Sequence, residues 1–391
     1  MKRPHFVIVA WGLAPGGTLS VLREWVPRLQ AAGRVSVVTL GPNRASLDVP
    51  TVEIGRRWSH PLRFPQIAPY ILRMAVATVR AARRGGTPIL MPQDSLATGA
   101  AAAIAARFVG ARLAVMEHGS AEAIGTRRFW RERYPPAGKL GGPRHRLLRA
   151  IVRRLNRWVV HRTDVALIAG NEAEATYRSL GIDPSRIARY RFAVDVDRFR
   201  PATASERAHA RQHWRIEGPG PVVVTVGRLA AEKGVDDILA AMTRQPAATL
   251  LVAGEGPLRE SLERSAGENV RFLGRLEADE VASLHRAADL FVYAGRQGAN
   301  TPYAVLEAMA SGLPVVATTA PEVHRPMLAE GRGIAVPPDD ADALERAIGK
   351  LLTDPERRLA AGARARVFVE ANHTSEMLDQ AVAAFVARIL G

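Results

Sequence analysis

The chain has 391 residues, 47% of them apolar and 24% charged, with a formal net charge of +16 and no cysteine. That length suits two domains of ordinary size, each able to bury its own core, and the composition is that of a globular chain rather than a disordered one. The missing cysteine excludes disulfides, zinc–thiolate sites and cysteine nucleophiles, and fits a reducing cytoplasm.

The start, MKRPHFVIVAWGLAPGG, joins two basic residues to a short apolar run. It reads as a buried first strand rather than a secretory signal, because the run ends in a Gly-rich turn with no small-residue cleavage pattern. HFVIVAW (5–11) predicts that strand, residues 19–32 a helix closed by Gly33, and VSVVTL (35–40) the next strand. PILM (88–91), RLAVME (112–117) and VALIAG (165–170) predict later strands of the first half. The Ala-rich stretch 97–106 is too short to span a bilayer, which takes about 20 apolar residues. Residues 200–220, rich in Pro, Gly and charge, read as an interdomain connection. A second alternation then begins with PVVVTVG near residue 221, a helix around Asp236–Met242, and the strand-like runs TLLVAG, VRFLG, DLFVYAG and LPVVAT. Strands alternating with helix-length segments predict an α/β chain with two doubly wound parallel sheets.

In such sheets ligands bind beyond the carboxyl ends of the strands, and the candidate motifs fall there. In VVVTVGRLAAEKGVDD, Gly227 and Arg228 leave a strand while Lys233 and Gly234 open a helix. Two cations beside a helix N-terminus suit a diphosphate; on spacing alone, two solvated surface cations fit equally well. Downstream, FVYAGRQGANTPYAVLEAMASGLPVVAT predicts Thr301 as N-cap and Pro302 as first helical residue, with Glu307 on the short helix, Gly312 closing it and Pro314 starting the next strand. A carboxylate at Glu307 can accept hydrogen bonds from two ribose hydroxyls, although by itself it also reads as an exposed helix residue.

Taken together, G-R-L-x3-K-G, LLVAGEGPLRESLE (250–263), NVRFLGRL (269–276), LEAMASGLPVVAT (306–318) and PPDDADALERAIGKLLTDPERR (337–358) look like the successive blocks of the nucleotide-binding domain of glycosyltransferase family GT4. Gly16 and Gly17 in the first turn and His118 in VMEHGS are similar to the family's glycine pair and its HG position. AVDVDRFRP (193–201) resembles the stretch leading into the family's interdomain hinge, which sets aside a metal-binding reading of its two aspartates.

The resemblance implies a GT-B fold with two Rossmann-like domains facing a central cleft: residues 1–199 on the acceptor side, residues 200–374 binding nucleotide-sugar, and a last helix (375–391) packing back on the first. It implies transfer of a sugar from a nucleotide-diphosphate sugar to an acceptor with retention of configuration, without cofactor or obligatory metal. Catalytic roles fall on Arg228, Lys233 and His118. Donor contacts fall on Gly16, Gly17, Gly227, Gly274, Arg275, Asn300, Thr301, Pro302, Tyr303 and Glu307. One departure stands out: the family carries two glutamates eight positions apart, and here the first falls on Ala299. That leaves open another donor sugar, substitution by Gln297 or Asn300, or a nucleotide-sugar-binding accessory protein without turnover. Nucleotide-sugar epimerases use the same fold but do not follow these blocks.

The charge is unevenly held. Residues 1–200 carry 33 Lys+Arg against 13 Asp+Glu, a net of +20, and the remainder 21 against 25, a net of −4. Within the first half, residues 127–162 hold 12 Lys+Arg and one Glu, interleaved with Phe129, Trp130, Tyr134 and Trp158. A basic amphipathic helix over Arg146–His161 suits an anionic membrane surface; a solvated arginine-rich face is the plainer reading. No nucleic-acid fold is recognisable, so nucleic acid is not expected as a partner. A lipid-linked glycan or cell-surface polysaccharide precursor is the expected acceptor, and the cytoplasm, peripheral on the inner face of the plasma membrane, the expected location.

Overall fold

The computed structural model describes residues 3–12, 17–41, 47–55, 64–117, 143–296, 302–320 and 324–391. The chain divides into two compact units, Met1–Arg191 with Leu378–Gly391, and Phe192–Met377.

The first unit holds seven strands: β1 (Pro4–Ala10), β2 (Arg34–Thr39), β3 (Thr51–Glu53), β4 (Thr87–Pro92), β5 (Arg112–Glu117), β6 (Val165–Ile168) and β7 (Ile187–Arg189). They form one sheet in the order β3-β2-β1-β4-β5-β6-β7, and every pairing is parallel. Parallel neighbours need crossovers, supplied here by helices such as Gly17–Ala32, Phe64–Ala82 and Ala97–Val109. Phe6–Ala10 is buried throughout, the mark of a strand covered on both faces. The first two-thirds of Ala97–Val109 is mostly Ala, Thr and Gly and is buried, whereas Phe108 near its end is exposed. Gly110, at φ 60°, closes it in the left-handed conformation.

The segment expected to return to the first unit belongs to it from Leu378 onward. Helix Ser375–Leu390 buries Phe385 against Phe6 and Trp25, at ring-centroid distances of 6.4 and 6.0 Å. Asp379 pairs with Arg28 at 2.6 Å, and the Ile389 carbonyl accepts from Arg112 at 2.8 Å.

The second unit repeats the plan with β8 (Val222–Val226), β9 (Thr249–Ala253), β10 (Val270–Gly274), β11 (Leu290–Tyr293), β12 (Val315–Thr318) and β13 (Gly333–Val336), all parallel, in the order β10-β9-β8-β11-β12-β13. In both sheets the chain starts in the middle, steps outward twice, then crosses to the other side. The order reverses between β1 and β4 in one unit and between β8 and β11 in the other, and at such a switch the loops leaving neighbouring strands diverge to open a crevice.

One expectation needs correcting. The unit boundary lies between Arg191 and Phe192, not at residues 199 and 200, and about half of the expected connection is helix. Thr203 and Glu206 form a reciprocal capping box at the start of helix Ala204–His213. Arg207 of that helix reaches Asp289 Oδ1 at 2.8 Å and Arg211 its Oδ2 at 3.6 Å, and Oδ2 also accepts from the Val222 amide at 2.8 Å. Charges that read as part of an interdomain connection are ones that bind the helix to its unit.

Candidate functional site at the strand-order switch of the second unit

The site is built where β8 and β11 part. Leaving β8, Gly227 donates its amide to the Ala253 carbonyl at 2.9 Å, and a Cβ placed on it would meet nothing within 4 Å. The space beside this glycine is open, as close approach of a ligand to backbone demands. Behind it, the loop after β9 packs backbone against backbone: a Cβ on Gly254 would lie 1.8 Å from the Gly227 carbonyl oxygen, and one on Gly256 would lie 2.3 Å from that of Leu229. That is why the sequence reads Gly-Glu-Gly there. Gly274, at φ +74°, ends β10 and accepts from the Gly254 amide at 2.7 Å, so three successive loops brace one another.

After Arg228 a single 3-10 turn, Ala231–Lys233, leads through Gly234 into helix Val235–Met242. Gly234 is left-handed at φ +61°, and a Cβ there would stand 2.1 Å from the Ala294 carbonyl oxygen. Only glycine lets this turn close onto the end of β11. That closure carries Lys233 to Tyr293: its ammonium donates to the Tyr293 hydroxyl at 3.3 Å and lies 5.5 Å from the ring centroid. Burial lowers the Lys233 pKa, with the positive charge of Arg228 acting in the same direction. Arg228 is largely exposed and ion-paired with Glu232. The sequence offered two free cations, whereas the folded chain gives each a resident partner.

Arg296, the last described residue before position 302, fixes the turn from the other side. It meets Asp236 at 2.8 Å, Asp237 at 2.8 Å and Asp339 at 2.6 Å. Its amide and guanidinium donate to the Glu232 and Ala231 carbonyls at 2.9 and 3.0 Å. Its pKa is held well above the ordinary value, first by the hydrogen bonds with Asp236.

Helix Tyr303–Ala310 follows. Pro302 stands at its N-cap with extended backbone, φ −62° and ψ 141°, so it precedes the helix rather than opening it. The ring of Tyr303 packs on Phe192 at 5.2 Å. Glu307 is half-buried, and its pKa is pushed up to about 7 by burial, with the Arg198 charge pulling the other way. Gly312, at φ +74°, ends the helix as expected. Arg275 is exposed and 3.5 Å from Glu277.

In the first unit, Gly17 opens helix Gly17–Ala32. The positions Gly16, His118, Gln297, Ala299, Asn300 and Thr301 lie outside the described residues. Of the expected set, the structure brings Gly227, Arg228 and Lys233 to one strand-order switch. Glu232, Tyr293 and Arg296 were not foreseen as parts of that site.

A sequence model described as "Glycosyl transferases group 1" matches residues 206–368, and one described as "Glycosyltransferase Family 4" matches residues 15–198. Among curated proteins, the GDP-mannose-dependent monoacylated alpha-(1-6)-phosphatidylinositol monomannoside mannosyltransferase of Corynebacterium glutamicum is 36% identical over 205 residues, covering 48% of this chain and 52% of the relative. The chain thus spans about half the length of the curated relatives it matches. Among solved structures, the sucrose-phosphate synthase of Thermosynechococcus elongatus superposes with a TM-score of 0.79 at 20% identity, covering 100% of this chain and 99% of the other. Anabaena HepE in complex with UDP gives 0.77 at 16%, covering 99% and 100%. With both halves matched in sequence and the two-sheet architecture shared, the chain belongs to glycosyltransferase family GT4 and has the GT-B fold.

Proposed function

We propose that the protein transfers a sugar from a nucleotide-diphosphate sugar to a glycan or lipid-linked acceptor. The observation that carries this reading is the pair Arg228 and Lys233 on the loop leaving β8 at the strand-order switch, beside open space at Gly227. Two cations there match the double charge of a diphosphate leaving group, and family membership supports the same ligand.

In the proposed reaction the bond between the anomeric carbon and the diphosphate oxygen breaks. The acceptor hydroxyl oxygen bonds to that carbon from the same face, so configuration is retained, and the hydroxyl proton passes to the departing phosphate. Arg228 and Lys233 take up the charge that develops on the leaving oxygens, in place of a metal. Ionised Glu307 accepts from the ribose hydroxyls. Catalysis rests on positioning and charge rather than on a covalent nucleophile.

The relative above is GDP-mannose-dependent, and HepE was also solved with UDP-glucose, so GDP-mannose and UDP-glucose are the first donors to try. A donor at 100 times its Kd adds about 2.7 kcal/mol to stability, a melting shift of a few degrees. Selective stabilisation by one donor with EDTA present, followed by slow sugar release, is the expected outcome. No stabilisation by any nucleotide-sugar contradicts the proposal, and binding without turnover favours the accessory role.

The proposed acceptor is membrane-bound, with the protein peripheral on an anionic membrane surface through helix Pro143–Arg162. No helix among the described residues is long and apolar enough to cross a membrane. This one buries Val152, Val159 and Val160 yet leaves Leu147 and Ile151 63% and 43% exposed, flanked by the exposed Arg146, Arg149, Arg153, Arg154 and Arg157. Apolar side chains within a field of arginines are what an interfacial helix presents.

A further inference from the structure

We propose that Tyr293 is a positioning residue that seats the Lys233 ammonium, and that Gly295 is present to make room for the tyrosine ring. The inference rests on the functional reading above, in which Lys233 faces the donor diphosphate.

Tyr293 ends β11 and was legible in the sequence only as one more apolar residue of a buried strand. Its hydroxyl lies 3.3 Å from Lys233 Nζ and its ring centroid 5.5 Å away, so the ammonium sits off the hydroxyl edge of the ring. The ring is aimed there by two neighbours. His324 packs edge-on against it, 5.5 Å between centroids with planes at 89°, and His324 is itself fixed by donating Nδ1–H to the Thr318 carbonyl at 2.8 Å. Gly295 is the other: a Cβ there would stand 2.4 Å from Tyr293 Cε1 and from its hydroxyl oxygen, and 2.5 Å from Cζ. Real atoms do not approach so closely, so a side chain at 295 and the tyrosine in its present place exclude each other. The Gly295 carbonyl is meanwhile held by the Thr318 hydroxyl at 2.5 Å, so it is the ring that must move.

The chemistry explains why a phenol is used. A half-buried ammonium needs an acceptor, or burial drives off its proton. A carboxylate against Lys233 would neutralise the charge the diphosphate requires, whereas a neutral hydroxyl orients the ammonium and leaves its charge available. The tyrosine stays protonated, because burial first and the Glu232 charge second raise its pKa. Among the described residues, the charged and titratable groups around Lys233 include Arg228 and Glu232 on its own segment, Tyr293 on β11, Arg296 on the turn's other side, and His324, which burial keeps neutral.

The test is a double-mutant cycle on kcat/KM, using whichever nucleotide-sugar the wild type turns over. Tyr293→Leu removes both ring and hydroxyl, and leucine carries no atom as far out as Cζ. Gly295→Ala leaves the tyrosine but displaces it. Each is expected to lower kcat/KM about tenfold to a hundredfold, as loss of a hydrogen bond to a charged group does, and the double variant to be no worse than Tyr293→Leu alone. Tyr293→Phe, which keeps the ring, is expected to move the alkaline limb of the pH–rate profile about one unit lower, because the ammonium loses its acceptor. Effects that multiply in the double variant, or a Tyr293→Phe profile superimposable on wild type, overturn the proposal. Should Tyr293→Leu fail to fold, the Gly295→Ala and Tyr293→Phe profiles decide it. Lys233→Ala, run alongside, separates the two claims: unimpaired activity in that variant sinks the functional reading, while loss there with no effect at Tyr293 sinks only this inference.

Discussion

Arg296 and Asp236 meet fork to fork, Nη1 on Oδ1 and Nη2 on Oδ2, each at 2.8 Å. This pairing and the bonds from Arg296 to the carbonyls of Ala231 and Glu232 tie the turn that carries Lys233 to the end of β11. Arg296→Ala is expected to cost about 1–3 kcal/mol, less than for a fully buried pair because Asp236 and Asp339 are more than half exposed. Arg296→Lys is expected to recover only part, since an ammonium cannot make the fork. Denaturant melts of the three proteins read this directly; an alanine variant as stable as wild type contradicts it.

Gly234→Ala tests the closure of the same turn. The new Cβ would lie 2.1 Å from the Ala294 carbonyl oxygen, at a residue with φ +61°. Left-handed strain and the clash together predict a loss of about 2 kcal/mol or more. Calorimetry is expected to show a melting point lower by several degrees, and unchanged melting would mean that the turn opens without cost.

Glu307 sets a pH dependence with a definite sign. Its folded pKa of about 7 lies above the ordinary carboxylate value, so between about pH 4.5 and 7 the folded chain holds more protons than the unfolded one. This group's contribution to stability therefore falls as pH rises through that window and is level above it. Glu307→Gln removes the dependence: relative to wild type, the variant is expected to melt higher at pH 8 than at pH 5. The opposite ordering contradicts the assignment of burial as the dominant cause.

Three exposed arginines of helix Pro143–Arg162, at 153, 154 and 157, are predicted to contribute to vesicle binding. Each is worth about 1 kcal/mol at an anionic surface, so Arg153→Gln/Arg154→Gln/Arg157→Gln is expected to weaken partition onto phosphatidylserine-containing vesicles about a hundredfold at low salt. Wild-type protein that leaves such vesicles unbound would remove the membrane from the account.

Much of the fold was legible because it is written in local patterns. The buried strands β1, β8 and β11 are apolar but for His5 and Thr225, and Arg228 and Lys233 stand within one short segment. The strands that escaped are β3, β7 and β13, three or four residues each. All three lie at sheet edges and are largely half-buried, so they need not be runs of Val and Ile. The partners within the site were hidden for another reason. Tyr293 and Arg296 lie some 60 residues from Lys233 and Asp236, and only the strand order that sets β8 beside β11 brings them together. Glu232, by contrast, was in plain view four residues from Arg228, at the spacing where opposite charges pair.

The measurement that bears most directly on the central claim is calorimetric titration of GDP and UDP into the wild-type chain and into Lys233→Ala, with EDTA present. The account predicts that wild type binds one of the two diphosphates without metal and that Lys233→Ala binds it at least tenfold more weakly, the loss expected for one charge-assisted contact. Equal binding by both proteins, or none by wild type, would contradict it.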